Sequence, residues 1–547
     1  MKKPFWILWV VWLVLNVVTA VLMEMHADES YYWLWSEHMA WGYRAHPPMV
    51  ALWIGLSKIL LPIGNLQVRI VTVLCHGLTV LGLGAIVKER LESRGFLWDR
   101  GVIYTFYVIA GSLAMFNAAG FMTTPDAPLL LFGTGWLWAF QRYLKAVEEC
   151  HAWMWAGVLG IMMALMVYSK YMAVLFLLFA AIAYPQWVRD RKIWSAIVLA
   201  VLLLIPHIVW QVRNGFPSFQ LQVIARSMPF KAVYMAEYIP NQMVVYNPIV
   251  WVAAMILAIS CLWSKKRTKD IYTRVLAWEI VGFSVFFGLM TARGHVEPHW
   301  TMVSSLAMII SGCEWYCCDS ALSTKQNKWF RGGVFTCLEL VLVMRILLCL
   351  NVLPIQTGLA HKKDLYDRLY KEAKGEVMVF SGSFGPTSMY NWFEPSKAVL
   401  LHDMRASNHT EFETWHEEIA YQGQAAYLMT GRHVRHLQST DALQMRIDSL
   451  WLDDGHCYFR VTATNPFRVA FLWQHAEMPP RAQLISEGKN GYGLLDLERQ
   501  GCDTIPALGT EKYVFCVPEK DIPIGQKACI GIDNGFVLTQ NTAWINL

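Results

Sequence analysis

The 547-residue chain is 55% hydrophobic and 14% aromatic, with 16% charged residues and a mean hydropathy of +0.34, against roughly 25% charged residues in a soluble globular protein. That composition excludes an ordinary soluble enzyme. The net charge of +5 sits in short loops between apolar runs, where it reads as a topology signal, and no nucleic-acid signature is present.

The first apolar run, Phe5–Met23, follows Met1-Lys2-Lys3 and lacks a small-residue cleavage site, so it reads as a retained anchor with a cytoplasmic N-terminus. Further spans are predicted near Leu66–Val87, Gly101–Phe121, Ala127–Tyr143, Trp153–Tyr168, Tyr171–Trp187, Trp194–Trp210, Val244–Trp263, Val275–Met290, Trp300–Cys317 and Gly333–Leu353, about eleven in all. Runs of this length cross most or all of the ~30 Å of hydrocarbon as helices.

Every second loop is then basic: Lys88, Arg90, Arg94 and Arg100; Arg142 and Lys145; Arg189, Arg191 and Lys192; Lys265, Lys266, Arg267, Lys269 and Arg274; Lys325, Lys328 and Arg331. This is the positive-inside pattern of a multi-pass protein, and in a bacterium the inner membrane is the expected location. It predicts residues 1–354 as a transmembrane domain and 355–547 as an exported, periplasmic one. Leu365–Lys374 reads as a helix, and Glu376–Phe380, Tyr458–Thr464, Lys512–Val517 and Ala528–Ile532 read as strands of an α/β-plus-β fold. Four exported cysteines, Cys457, Cys502, Cys516 and Cys529, allow one or two disulfides in an oxidising compartment. Cys150 and the Cys313, Cys317 and Cys318 cluster lie in or beside spans, where apolar packing is the simpler reading.

The non-cytoplasmic segments hold nearly all the unusual polar chemistry. Just outside the first span lie Ala27-Asp28-Glu29-Ser30-Tyr31-Tyr32-Trp33-Leu34-Trp35 and then Gly42-Tyr43-Arg44-Ala45-His46-Pro47-Pro48. The acids could cap an interfacial helix and the aromatics form a membrane-interface belt. As a pattern, the acidic pair, aromatic helix and Gly-Tyr-x-x-His-Pro-Pro turn resemble the GT-C polytopic glycosyltransferases, in the branch with bacterial relatives of protein O-mannosyltransferases and of the lipid A aminoarabinose transferase. A second match is Thr123-Thr124-Pro125-Asp126-Ala127-Pro128, where the family carries another acid on the same face. Weaker echoes fall at Ser169-Lys170-Tyr171, at Pro206-His207 with Gln211, Arg213 and Ser218, at Gln242 and at Asn247-Pro248.

The resemblance implies transfer of a hexosyl or pentosyl group from a polyprenyl-phosphate donor to a lipid (lipid A), glycan or protein acceptor at the extracytoplasmic face, with inversion. The residues suit that chemistry. Asp28 is the candidate general base for the acceptor hydroxyl, and Asp126 or Glu29 could stabilise an oxocarbenium-like centre. A phosphate leaving group needs fixed cations; Lys170, Arg213 and Arg293 lie on the right side, and His46 stands near where aminoarabinose transferases carry a lysine. Lys170 interrupts an apolar run, where snorkelling is the bland alternative to function.

Arg293-Gly294-His295-Val296-Glu297-Pro298-His299-Trp300 lacks the helical zinc-protease spacing, and Pro298 opposes a regular helix through it. The resemblance puts Tyr31, Tyr43, His295, His299 and Trp300 along the substrate pocket. A carrier with one phosphate does not oblige a divalent metal, so no cofactor is expected. Arg405, Phe412 and Trp415 match a short pattern that some family members show after the last span. A multi-span transporter or lipid flippase is the competing class, disfavoured because the charged candidates cluster on one side and no paired interrupted helices suggest inverted repeats.

Overall fold

In the computed structural model, residues 1–147, 151–225, 230–263, 270–320, 322–354, 359–395, 397–406, 409–488 and 491–547 are described. They form two compact units, Met1–Met25 with Tyr32–Ala360, and His26–Tyr31 with His361–Leu547. The boundary predicted after residue 354 meets residues 355–358, which lie outside the described residues, as do Cys150, Lys265, Lys266, Arg267 and Lys269.

The first unit is helical because its apolar runs leave the backbone no partner but itself. Among the described residues, six helices are long and apolar enough to cross a membrane: Lys3–Leu22, Asn65–Ser93, Ala152–Ser169, Arg191–Arg213, Ile271–Met290 and Thr324–Leu350. The pair Ala232–Tyr246 and Pro248–Trp263, bent by 104°, makes a seventh if counted as one span. Among the described residues the figure of about eleven is therefore not confirmed. The other predicted spans coincide with helices that are broken, short or less apolar, and each break has a local cause.

Gly101–Phe121 divides into Arg100–Ser112 and Ala114–Ala118 at the extended Leu113. The Asn117 amide donates to the carbonyls of Ala110, Gly111 and Leu113, at 3.3, 2.8 and 3.2 Å, covering acceptors that the break would otherwise strand in an apolar interior. At the 104° bend, Asn247 takes φ 80°, a left-handed value that asparagine tolerates, and its Oδ1 accepts from Ile249 N at 2.9 Å. Lys170 is extended between Ala152–Ser169 and Met172–Ala183. Pro298 opens a 3-10 turn, Pro298–Ser304, ahead of Ser305–Glu314, in keeping with the bar that proline sets against a regular helix.

Helices Ala152–Ser169 and Arg191–Arg213 pack backbone to backbone: a Cβ on Gly160 would lie 2.6 Å from the Ala196 carbonyl oxygen, the close approach that small residues permit between membrane helices. The described basic loops meet at one end of this unit. Arg90 bonds Glu314 at 2.6 Å and Asp270 at 2.9 Å, Lys145 bonds Glu89, and Lys192 bonds the Val147 carbonyl. Lys145 and Asp126 terminate the same 20-residue helix, Asp126–Lys145, so the basic end lies roughly 30 Å from Asp126.

The second unit is α/β plus β, as its composition suggests. Val377–Ser381 pairs in parallel with Ala398–Leu401 and Ala426–Leu428, and Arg432–Val434 adds an antiparallel edge. Helices Lys362–Ala373 and Phe384–Phe393 belong to this part of the chain. Downstream, His456–Thr464 pairs antiparallel with Gln444–Asp453 and Thr510–Pro518, and Lys527–Asp533 with Arg481–Gly488. Phe459, Val461, Phe515 and Ile530 fill its core. Cys457, Cys502, Cys516 and Cys529 are all free thiols, so the disulfides that an oxidising compartment would allow are not formed here. Cys313 is buried in the core of the first unit.

Candidate active site

The helix Asp126–Lys145 begins directly after Pro125, and proline there pre-sets the backbone for a helix start. Asp126 does not act as a simple cap: both its carboxylate oxygens accept from Lys170 Nζ at 2.8 Å. The two side chains are 5% and 4% exposed. Lys170 therefore does not snorkel; it is turned inward by the helix break after Ser169. An ammonium has three donors, and two are committed to Asp126.

Next in sequence, Tyr171 anchors a second polar network. Its hydroxyl donates to Ser218 Oγ at 2.8 Å and accepts from the Gln211 amide at 2.8 Å. Gln211 also reaches Ser218 at 2.7 Å, and Ser218 bonds the Tyr43 carbonyl at 3.0 Å. His207 Nδ1 lies 2.7 Å from the Trp41 carbonyl and its Nε2 lies 3.2 Å from Tyr171 Oη. The carbonyl only accepts, so Nδ1 carries a proton. These bonds tie the Lys170 break to the Gly-Tyr-x-x-His-Pro-Pro turn. In that turn Tyr43 is buried, stacked on Trp35 at 4.2 Å, with its hydroxyl donated to the Trp35 carbonyl. His46 is half-buried, its carbonyl accepting from Tyr43 N.

A third cluster joins Gln242, whose amide oxygen accepts from Thr301 Oγ1 at 2.6 Å, to Tyr246, which bonds Ser304 Oγ at 2.9 Å and the Thr301 carbonyl. Sequence reasoning named Gln242 but missed Tyr246 and Ser304. The available signal was a hydroxyl or amide in an apolar helix. Trp300 packs on Phe287, and His295 meets the edge of Tyr234. Arg213, Arg293 and His295 are exposed, while His299 is half-buried. His295 and Glu297 make a loose 4.0 Å pair. A separate cavity of about 570 Å³ opens at the basic end, lined by Arg90, Arg94, Asp270 and Glu314. Its arginines are already paired with carboxylates.

The segment His26–Tyr31 groups with the second unit. Glu29 is fully buried and its Oε2 accepts from His26 N at 3.2 Å, so it closes the start of the helix Ala27–Glu37 in the manner of a capping box. Asp28 is different. Its side chain is 47% exposed, with Oδ2 3.7 Å from His26 Nδ1. Tyr31 is 5% exposed; it stacks on Phe384 at 4.3 Å and on Phe412 at 5.8 Å, and its hydroxyl accepts from Glu411 N at 2.8 Å. Arg405 pairs with Asp403 at 2.9 Å.

Residues 45–210 match the family model described as dolichyl-phosphate-mannose-protein mannosyltransferase, a stretch that holds His46, Asp126, Lys170 and His207. The chain is similar in structure to apo ArnT from Cupriavidus metallidurans, with a TM-score of 0.52 and 14% identity over 77% of this chain and 92% of that one. ArnT from the same organism bound to undecaprenyl phosphate gives 0.50, with 13% identity over 73% and 86%. The fold is that of these ArnT structures. The fold and the family match together agree with the expected multi-pass membrane glycosyltransferase. No curated protein matches the chain significantly in sequence.

Proposed function

We propose that this GT-C protein transfers a sugar from a polyprenyl-phosphate carrier to an acceptor at the extracytoplasmic face, inverting the anomeric centre. The buried Asp126–Lys170 pair at a helix break carries the reading. A paired charge this deep is expensive and a poor way to stabilise a fold, and ionisable residues at such positions default to function. Support comes from the family match over 45–210, named for dolichyl-phosphate-mannose, and from the ArnT structure containing undecaprenyl phosphate.

In this reading Asp28 removes the acceptor proton, since its carboxylate is open to solvent while Glu29 is committed to the helix start. Lys170 offers its third donor to the departing phosphate, and Asp126 holds it aimed. Arg213 and Arg293 add charge toward the phosphate and His46 a contact to it, with Tyr31, Tyr43, His295, His299 and Trp300 shaping the pocket and its surroundings. The acceptor is a lipid such as lipid A, a glycan or a protein. The protein resides in a bacterial inner membrane with its N-terminus cytoplasmic and its second unit periplasmic.

The test is sugar transfer by membranes holding equal amounts of wild type, Asp28→Asn or Asp126→Asn, given a panel of labelled polyprenyl-phosphate sugars. Labelled product from the wild type and its loss in Asp28→Asn is the expected result and identifies the sugar. If the wild type uses no donor while a labelled lipid or solute crosses the membrane independently of Asp28, the transporter reading replaces this one.

A further inference from the structure

In the second unit, His402, His409 and Glu413 point their ligand atoms at one another, all within 4.8 Å. His402 Nδ1 lies 3.2 Å from Glu413 Oε1, His409 Nδ1 bonds Glu413 Oε2, and the two imidazoles stack at 4.3 Å and 16°. We propose that His402, His409 and Glu413 bind a divalent transition metal, Zn²⁺ in the first instance, and that the metal fixes the segment that supports Tyr31. The metal site does not depend on the transfer reading; the positioning role that follows from it does.

Three observations carry it. Two imidazole nitrogens and one carboxylate make the donor set of an open zinc site, with a fourth position left for water. Zinc–ligand bonds of ~2.0–2.1 Å at tetrahedral angles put ligand atoms about 3.3 Å apart, and the His402–Glu413 pair already stands at 3.2 Å.

The donors are also held from behind, as metal ligands are. His402 follows the strand Ala398–Leu401 and its backbone N–H is bonded by Asp441 at 2.8 Å; Glu413 Oε1 accepts from Thr410 N at 2.7 Å. His402 and Glu413 are 9% and 20% exposed, whereas His409 is 45% exposed, so the site is anchored on two sides and reachable on the third.

The consequence follows from the turn Phe412–Trp415, which carries Glu413. Phe412 and Trp415 flank Tyr31, and Glu411 N donates to the Tyr31 hydroxyl. Tyr31 lies three residues beyond Asp28. A metal clamping His402 and His409 to Glu413 holds that support in place and, through it, the start of the helix bearing Asp28. These three residues are positioning residues for Asp28.

The experiment uses full-length protein without a histidine tag, stripped with a chelator and titrated with Zn²⁺ or Co²⁺. The wild type should bind one equivalent, with tetrahedral Co²⁺ absorption. His409→Ala and Glu413→Gln should each weaken binding more than about 100-fold, beyond the effect of losing an outer partner, while His433→Ala binds as the wild type does. Zn²⁺ should also slow amide exchange in 26–31 and 409–416. Because His409 is half exposed, its alanine variant should fold, and circular dichroism checks this. No stoichiometric binding by the wild type, or binding unchanged in both ligand variants, overturns the site. Binding without the exchange effect overturns the positioning role.

Discussion

Removing one member of the Asp126–Lys170 pair strands a charge in an interior where neither side chain is more than 5% exposed. At the 2.8 Å contact distance, the Coulomb attraction is about 6 kcal/mol with an effective dielectric near 20. Desolvating the two ions offsets most of that gain. The pair as a whole therefore adds little, yet each single loss should cost about 3–5 kcal/mol, because the surviving ion stays desolvated without its partner. Lys170→Met and Asp126→Leu should each be destabilised by that amount, and the double variant should return close to the wild type. The assay is equilibrium unfolding in mixed micelles, followed by the fluorescence of the 26 tryptophans and analysed as a double-mutant cycle. The activity readout should diverge from stability: the double variant folds but transfers no sugar. Additive losses in the cycle, or a single variant as stable as the wild type, would refute the claim of a closed, desolvated pair. A double variant that still transfers sugar would remove the pair from the chemistry.

Asp28→Asn should lower sugar transfer by about 10²–10⁴-fold, the usual worth of a general base, with unfolding unchanged because the side chain is half exposed. Tyr31→Phe removes the hydroxyl that accepts from Glu411 N and should destabilise the second unit by about 1–3 kcal/mol, measured by urea titration with amide exchange in 409–416 as the readout. Burial lifts the Asp441 carboxyl to about 7, although the His402 N–H and charge pull the other way. A folded-state value raised above the ordinary 3.8 means the unfolded chain gives up this proton first, so stability falls as pH rises from about 4 to about 7 and is level beyond. Asp441→Asn keeps an acceptor for His402 N and should flatten that slope in pH-dependent thermal unfolding; an unchanged slope would assign it to other groups. Gly160→Val puts a branched side chain against the Ala196 carbonyl and should lower the yield of folded protein in detergent extracts, whereas Gly157→Val, with open space around its Cβ position, should not.

Much of this protein is legible along the chain. Hydropathy and charge are local properties, so the apolar runs at 5–23, 66–87, 153–168 and 194–210 lead directly to the helices Lys3–Leu22, Asn65–Ser93, Ala152–Ser169 and Arg191–Arg213. Strands such as His456–Thr464 follow from β-branched and aromatic content. Asp126 and Lys170 were each conspicuous as an acid after Pro125 and a cation within an apolar run. What the sequence left open was everything that depends on which surfaces meet. Whether a run crosses unbroken depends on partners for the freed backbone groups, as Asn117 supplies at Leu113, and such partners come from the fold. Glu29 and Asp28 are adjacent and chemically alike; only the tertiary structure buries one against a backbone N–H and leaves the other open. Asp126 and Lys170 stand 44 residues apart, and no periodicity pairs them: the start of one helix and the break between two others must be packed to 2.8 Å. The same holds for His402, His409 and Glu413, whose ligand spacing in sequence matches no zinc pattern and which converge because a strand end and a short turn are held side by side.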